Sequence, residues 1–161
     1  MGHKSQAALE FLTTYGWAFL VLLIIISALA YFGVLSPSKL LPDKCTFGEE
    51  FECSGHQISA SVGTFKLRLK NNVGEAIDVS QITLSTEGSV PYLCTGALNP
   101  PFPYNNWKSG NITDFSWSGC SGGDIFKGQK GKVLITIRYN TVNSGAGYVK
   151  ESKGEAFATV I

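Results

Sequence analysis

The stretch FLTTYGWAFLVLLIIISALAYFGVL, residues 11–35, decides the architecture of this chain. It contains no charged residue, and after position 16 only Ser27 and Gly33 interrupt the apolar side chains. Folded as a helix, the stretch would be apolar on every side, and such a helix needs lipid or protein around its whole circumference. The sequence therefore predicts a membrane-type helix rather than the amphipathic helix of a soluble domain.

The flanks of the apolar stretch set the limits of this helix. If it begins near Gln6 and ends before Pro37, which cannot continue a helix, it spans about 30 residues, or roughly 45 Å at 1.5 Å per residue. This length exceeds the hydrocarbon thickness of a bilayer. The whole chain has 161 residues, which leaves room for one small domain after the helix.

Two ordinary interpretations of the helix compete. It can be a secretory signal peptide, with Lys4 as its positive end, residues 17–26 as its apolar region and Ala-Leu-Ala, residues 28–30, as the cleavage site. Cleavage would then release a soluble domain that begins near Tyr31. Alternatively it is a plain membrane anchor, with Lys4 on the cytoplasmic side.

The residues before the apolar stretch carry a more specific pattern. Lys4 and the following SQAALEF, residues 5–11, resemble the class III signal peptide of archaeal type IV pilins, in which Q-x-S-x-E-F follows a short basic leader. Ala8 stands where serine is commoner in that family. The resemblance implies that a prepilin peptidase cuts between Ser5 and Gln6, on the cytoplasmic side, and leaves the helix on the mature protein.

The resemblance also implies a division of the chain and a function. Residues 1–5 are the leader, residues 6–36 the transmembrane and filament-core helix, and residues 37–161 the extracellular head. The expected function is that of a structural subunit of a pilus or pilus-like filament that serves surface adhesion. The precursor lies in the cell membrane, and the mature protein lies in the external filament. Its expected partners are other copies of the chain, the prepilin peptidase and the pilus assembly machinery.

Glu10 lies at the edge of the apolar stretch and is expected to act in assembly with Gln6 and Phe11. A carboxylate in or near hydrocarbon is costly unless it has a partner. Cleavage before Gln6 creates a positive α-amino group, and the resemblance implies that Glu10 of one subunit pairs with this amine on its neighbour. The pairing would set the axial register of the helices. The alternative is that Glu10 only complements the positive end of its own helix dipole.

Beyond Pro37 the pattern changes from continuously apolar to alternating. In FKLRLK, residues 65–70, apolar and basic side chains alternate, which predicts a strand with one face inward and one in water. Further strands are predicted at residues 57–62, 76–79, 81–84, 133–139, 147–150 and 157–161. About six or seven short strands separated by turns indicate a sandwich. The predicted class is α+β: a long hydrophobic N-terminal helix followed by an antiparallel β-sandwich head, for which an immunoglobulin-like arrangement is the candidate.

The four cysteines, Cys45, Cys53, Cys94 and Cys120, all follow the apolar stretch. An even number of cysteines beyond a membrane segment predicts two disulfides, and three connectivities are open. Short loops and strand order favour Cys45 with Cys53 and Cys94 with Cys120. The irregular spacing argues against a zinc site, so neither a metal nor another cofactor is expected.

Residues 91–123 interrupt the alternation with four prolines and six aromatic residues. The segment is predicted to be a long loop braced by a Cys94–Cys120 disulfide. Its aromatic side chains could bind a glycan or a surface, or they could cover the core or contact neighbouring heads, and the sequence favours the second role. The segment also contains Asn111-Ile112-Thr113, an N-x-T acceptor sequence that makes Asn111 the predicted glycosylation site.

The sequence does not indicate an enzyme or a nucleic-acid-binding protein. The 13 Lys and Arg residues nearly balance the 12 Asp and Glu residues, and they form no basic patch that would neutralise phosphates. GCSGG, residues 119–123, matches the loop around a serine-protease nucleophile, but Ser121 would need a histidine base, and His56 has no supporting motif. The alternative function is a secreted or membrane-anchored sandwich that binds glycans through residues 91–123.

Overall fold

The computed structural model describes the backbone of residues 3–31 and 41–161, and the side chains of these residues apart from 3–8 and 12. The chain divides into two compact units, Met1–Leu41 and Pro42–Ile161. The first contains the helix α1, His3–Tyr31. An N-terminal apolar helix followed by β-structure is thus confirmed, and Pro37, the predicted helix stop, lies outside the described residues.

Beyond residue 41 the described chain is built from β-strands joined by turns. In chain order they are β1 Lys44–Thr46, β2 Phe51–Ser59, β3 Thr64–Asn71, β4 Ile77–Ser85, β5 Leu93–Cys94, β6 Leu98–Asn99, β7 Tyr104–Trp107, β8 Ile112–Trp117, β9 Cys120–Ser121, β10 Lys130–Thr141 and β11 Lys150–Thr159. All of their pairings are antiparallel. The α+β class is therefore confirmed.

The strands form two main sheets and a short ribbon within the described residues. One sheet has the order β1-β11-β10-β4-β7, and the other has the order β2-β3-β8-β6. The ribbon consists of β5 and β9. Both main sheets contribute side chains to one hydrophobic core, in which Leu67 and Phe115 come from the four-stranded sheet and Val79 and Ile135 from the five-stranded sheet.

Alternation explains why the predicted strands form. In β3, Phe65, Leu67 and Leu69 are buried, while Lys66 and Arg68 between them are exposed. Successive side chains of a strand point to opposite faces, so one face joins the core and the other is solvated. The same pattern continues along β10, where Val133 and the alternate residues after it are buried.

Four of the predicted strands need correction. The strands predicted at residues 76–79 and 81–84 are one strand, β4, which begins at Ile77. Ser80 is the extra residue of a bulge, where the register with β10 shifts, and its hydroxyl donates to the Arg138 carbonyl. Residues 147–149 lie in the connection between β10 and β11, and residues 157–159 are the end of β11, which begins at Lys150. The hairpin register, with Tyr139 opposite Lys150, sets these limits.

The prediction that residues 91–123 form a long loop is wrong. The segment contains β5 to β9, and β8 lies between β3 and β6 in the four-stranded sheet. Phe115 and Trp117 of β8 point into the core. The burial of these rings outweighs the local turn signals of the surrounding prolines and glycines.

Two disulfides are present, as predicted. Cys45 is bonded to Cys53, and this bond links β1 and β2, which are edge strands of different sheets. Cys94 is bonded to Cys120, and this bond joins the paired strands β5 and β9. The pairing is the one that loop length favours, and the second bond joins the two strands of the short β5–β9 ribbon to each other.

Candidate functional site

The span Leu9–Tyr31 of α1 is long and apolar enough to cross a membrane. Its described residues are not buried, and large side chains such as those of Trp17, Phe19 and Ile24 are exposed. A signal sequence near an N-terminus would have the same length and composition. The span is a continuous exposed apolar surface, and such a surface marks an interaction with lipid or with protein.

The threonine and serine hydroxyls that the structure describes in α1 are satisfied within the helix. Thr13 Oγ1 donates to the Leu9 carbonyl at 3.0 Å, Thr14 Oγ1 to the Glu10 carbonyl at 2.8 Å, and Ser27 Oγ to the Leu23 carbonyl at 2.7 Å. A hydroxyl that bonds the preceding turn needs no water, so these residues can enter an apolar environment. These three hydroxyls therefore remain paired in apolar surroundings of either kind, lipid or protein.

Glu10 and Phe11 are exposed at the beginning of the apolar span. The Phe11 ring lies 4.5 Å from the ring of Tyr15, one turn further along. Among the described side chains none forms an ion pair with Glu10. Ser5 and Gln6 lie within α1, but their side chains are outside the described set. Glu10 thus presents a carboxylate, in an otherwise apolar surface, that is available to a partner.

Asn111 lies just before β8, where residues 109 and 110 form a turn. Its backbone is held firmly: the Asn111 carbonyl accepts hydrogen bonds from the Asn71 amide at 3.1 Å and from Trp107 Nε1 at 3.0 Å. Its side chain is exposed and makes no hydrogen bond within the described part of the chain. The acceptor amide therefore faces solvent from a fixed backbone position.

Asn71 positions this turn, a role that was not predicted from the sequence. Its side chain is fully buried. Nδ2 donates to the carbonyls of Trp107 at 2.8 Å and Glu75 at 3.1 Å, while Oδ1 accepts from the Val73 amide at 2.9 Å. The alternation of β3 could have revealed it, since Asn71 is the next inward position after Leu69.

The aromatic side chains of residues 91–123 belong to the interior. Tyr92, Trp107, Phe115 and Trp117 are buried, and Phe102 and Tyr104 pack against the same core. The rings of Trp107 and Phe115 meet edge to face at 5.6 Å. Burial raises the pKa of Tyr92 to about 12. This segment therefore covers the core, as the sequence favoured, and offers no row of exposed rings on which a sugar could stack.

The residues considered for catalysis do not form a catalytic group. His56 Nε2 lies 3.1 Å from the Phe157 carbonyl, which belongs to β11. Ser121 pairs with Leu93 in the β5–β9 ribbon. Within the described residues no hydrogen bond joins His56 to Ser121, so the nucleophile–base contact that a serine protease requires is not formed.

One cluster contains the residue types of a metal site, but its two cysteines are not free to bind a metal. The ligand atoms of Cys45, Cys53 and His56 lie within 4.8 Å of one another. Both sulfurs, however, are bonded to each other, and the cysteine ligand of a metal is the thiolate. The cluster is therefore a disulfide beside a histidine that bonds a backbone carbonyl.

The outer face of the four-stranded sheet carries paired charges. Arg68 Nε and Nη2 donate to the two carboxylate oxygens of Asp114 at 2.6 and 2.8 Å. These hydrogen bonds hold the pKa of Asp114 below its usual value. The pair links β3 to β8 across the sheet, and because both side chains are exposed, its main effect is on register rather than on stability.

No protein-family model matches this chain, and no curated protein matches it.

Proposed function

We propose that this chain is a structural subunit of an archaeal type IV pilus or pilus-like filament, assembled through α1 after removal of residues 1–5. The observation that carries the proposal is the exposed apolar span Leu9–Tyr31 with a carboxylate, Glu10, at its beginning. The likeness of residues 4–11 to a class III signal peptide supports the same conclusion. The function is assembly and surface adhesion rather than catalysis.

A helix that is apolar on every side suits both the precursor in the membrane and the subunit in the filament. In the membrane, lipid surrounds the precursor helix; in the filament, helices of other copies replace the lipid. The change requires no new surface chemistry, because lipid tails and apolar side chains solvate the span equally well. A helix that is uniformly apolar has no preferred axial position, however, and a single charge pair can supply one.

Glu10 is the proposed source of that axial position. Its partner is the α-amino group that cleavage creates on Gln6 of a neighbouring subunit. Two opposite charges in surroundings of low dielectric attract far more strongly than in water, and neither is stable there alone. The pair therefore favours the one register in which both charges are matched, and it forms only after the leader has been removed.

We further propose that the head has the immunoglobulin-like arrangement. In that arrangement strands A, B, E and D form one sheet, and strands G, F and C form the other, to which variable-type domains add C′. The order β2-β3-β8-β6 corresponds to A-B-E-D, and β11, β10 and β4 of the other sheet correspond to G-F-C, with the same order along the chain. These seven strands support the proposal. The sheet has two further strands: β7, which follows β6 in the chain and so cannot be C′, and β1, which pairs antiparallel with β11. The two disulfides do not occupy the position of the antibody disulfide between strands B and F.

The mature N-terminus tests processing directly. Intact-mass and N-terminal peptide measurements on protein from the cells that make it should give Gln6 as the first residue. A start near Tyr31 would instead support a secreted head and contradict the proposal. Retention of Met1 would indicate a plain membrane anchor and contradict it equally.

Substitution of Glu10 tests assembly separately from processing. We expect Glu10→Ala and the near-isosteric Glu10→Gln to be cleaved before Gln6 but to lower the yield of sheared filaments at least about tenfold, since ~1.4 kcal/mol corresponds to a factor of ten. Glu49→Ala, which removes an exposed acid from a turn of the head, serves as the matched control. Wild-type filament yield from both Glu10 variants would disprove the role of the carboxylate.

A further inference from the structure

We infer that Asn111 carries an N-linked glycan, attached at the end of the head farthest from the point where the chain enters it. This inference goes beyond the proposed function and shares with it only the external location of the head. The acceptor sequence Asn111-Ile112-Thr113 is by itself only a short motif and does not define a site. The position and the contacts of its residues in the fold make it a specific site.

The location follows from the sheet register. The head begins at Pro42, and Asp43 accepts a hydrogen bond from the Thr159 amide at 3.0 Å, next to the beginning of β10. At the other end of β10, Thr141 pairs with Ile77, and Ile77 pairs with Trp107. Trp107 in turn donates to the Asn111 carbonyl.

The length of β10 gives the distance between these two ends. The strand has 12 residues, which corresponds to about 36 Å at ~3.3 Å per residue. A glycan on Asn111 therefore projects from the end of the head opposite to the entry of the chain.

The surroundings of Asn111 leave space for a sugar. Its side chain is exposed and has no hydrogen-bond partner in the described chain, and a Cβ placed on the preceding Gly110 would meet no atom within 4 Å. The next residue, Ile112, is 57% exposed although it lies in a strand. The first sugars of a glycan on Asn111 would cover this apolar side chain, which otherwise faces water.

The sequon hydroxyl indicates when the transfer occurs. An enzyme that recognises N-x-T must contact the threonine, but in the folded head Thr113 pairs with Leu69 in the sheet and its hydroxyl lies 3.3 Å from the Tyr104 hydroxyl. We therefore place glycan transfer before β8 joins the sheet. An acceptor amide that remains exposed after folding allows the modified chain to complete the same fold.

The reaction is a glycosyl transfer from a lipid-linked phosphate or diphosphate sugar donor. The bond from Asn111 Nδ2 to the anomeric carbon forms, and the bond from that carbon to the phosphate oxygen of the donor breaks. The leaving lipid phosphate keeps the electron pair of that bond, and the amide loses one proton to a base of the transferase. No oxidant or reductant is required.

The test is mass spectrometry of the peptide that contains Asn111, from protein isolated from the cells that make it. We expect an added mass that equals a whole number of sugar residues, and its loss in Asn111→Gln. Thr113→Ser preserves the acceptor sequence and should retain the added mass, whereas Thr113→Val has a similar shape and should lose it. The threonine pair keeps the test decisive if Asn111→Gln fails to fold.

Two results would overturn the inference. One is an Asn111 peptide that has only its unmodified mass in the wild-type protein. The other is an added mass that survives in both Asn111→Gln and Thr113→Val, because the sugar would then be attached elsewhere. Neither result depends on filament formation, so failure of this inference and failure of the proposed function can be distinguished.

Discussion

At the scale of single residues, Asn71 shows how one buried polar group fixes a surface turn. Its side chain makes three hydrogen bonds to backbone groups, two in the connection between β3 and β4 and one at the end of β7. It also has no exposed surface, so no water can replace a lost bond. A buried donor or acceptor left without a partner costs about 1–3 kcal/mol.

We therefore expect Asn71→Ala to lower the free energy of unfolding of the head by roughly 2–4 kcal/mol, because several backbone groups lose their partner at once. Urea denaturation followed by tryptophan fluorescence measures this change. Asn72→Ala is the matched control: Asn72 is adjacent and exposed, and its side chain makes only a long contact of 3.5 Å to Glu52. Equal effects of the two substitutions would refute the role assigned to Asn71.

At the scale of elements, alternation made some strands predictable and local composition concealed others. The alternate spacing of Phe65, Leu67 and Leu69 predicts β3, because it matches the period of a strand. Phe115 and Trp117 have the same spacing in β8, but they lie among prolines, glycines and turn formers, which favour a loop when read alone. Only the pairing of β8 with β3, a contact between residues far apart in sequence, decides between the two.

The apolar span Leu9–Tyr31 could also be predicted from the sequence. A span with no polar face contains its information locally, so its length and composition suffice to predict it. The turn around Asn111 differs, since Asn71 and Trp107 reach it from other strands. Its acceptor motif is visible in the sequence, whereas its fixed backbone and distant position in the head depend on the sheet register.

The disulfide between β5 and β9 gives a prediction at the scale of elements. It closes a segment with a sequence separation of 26 that contains β6, β7 and β8. Removing it restores loop entropy to the unfolded chain, and we expect the double variant Cys94→Ala/Cys120→Ala to lose roughly 3 kcal/mol of stability.

The second disulfide provides the comparison. Cys45 and Cys53 are separated by only 8 positions, so Cys45→Ala/Cys53→Ala should lose roughly 1 kcal/mol less than the other double variant. Both variants are measured by urea denaturation under the same conditions. If the shorter loop proves the more costly to open, loop entropy is not what the Cys94–Cys120 bond contributes.

At the scale of the whole molecule, the chain joins two units that suit different environments. The unit Met1–Leu41 contains an apolar helix with no buried residue in its span. The unit Pro42–Ile161 has its own core, with strands from both main sheets. A domain with a core of its own can fold alone, whereas an all-apolar helix requires lipid, detergent or other helices.

We therefore expect a fragment of residues 42–161, produced under oxidising conditions, to be soluble without detergent and to unfold cooperatively. Near-ultraviolet circular dichroism should report fixed packing of the buried rings, and sedimentation should report the mass of one chain. The full chain of residues 1–161 is the control, and it should sediment as large assemblies unless detergent is added.

The helix surface explains the expected difference between the two chains. Exposed side chains such as Trp17, Phe19 and Ile24 give the full chain an apolar area well above the few hundred Å² that soluble monomers tolerate. Removal of this area should abolish association without affecting the core. A fragment that still forms large assemblies would show that the head itself associates, and a fragment without a cooperative transition would show that its core depends on residues 1–41.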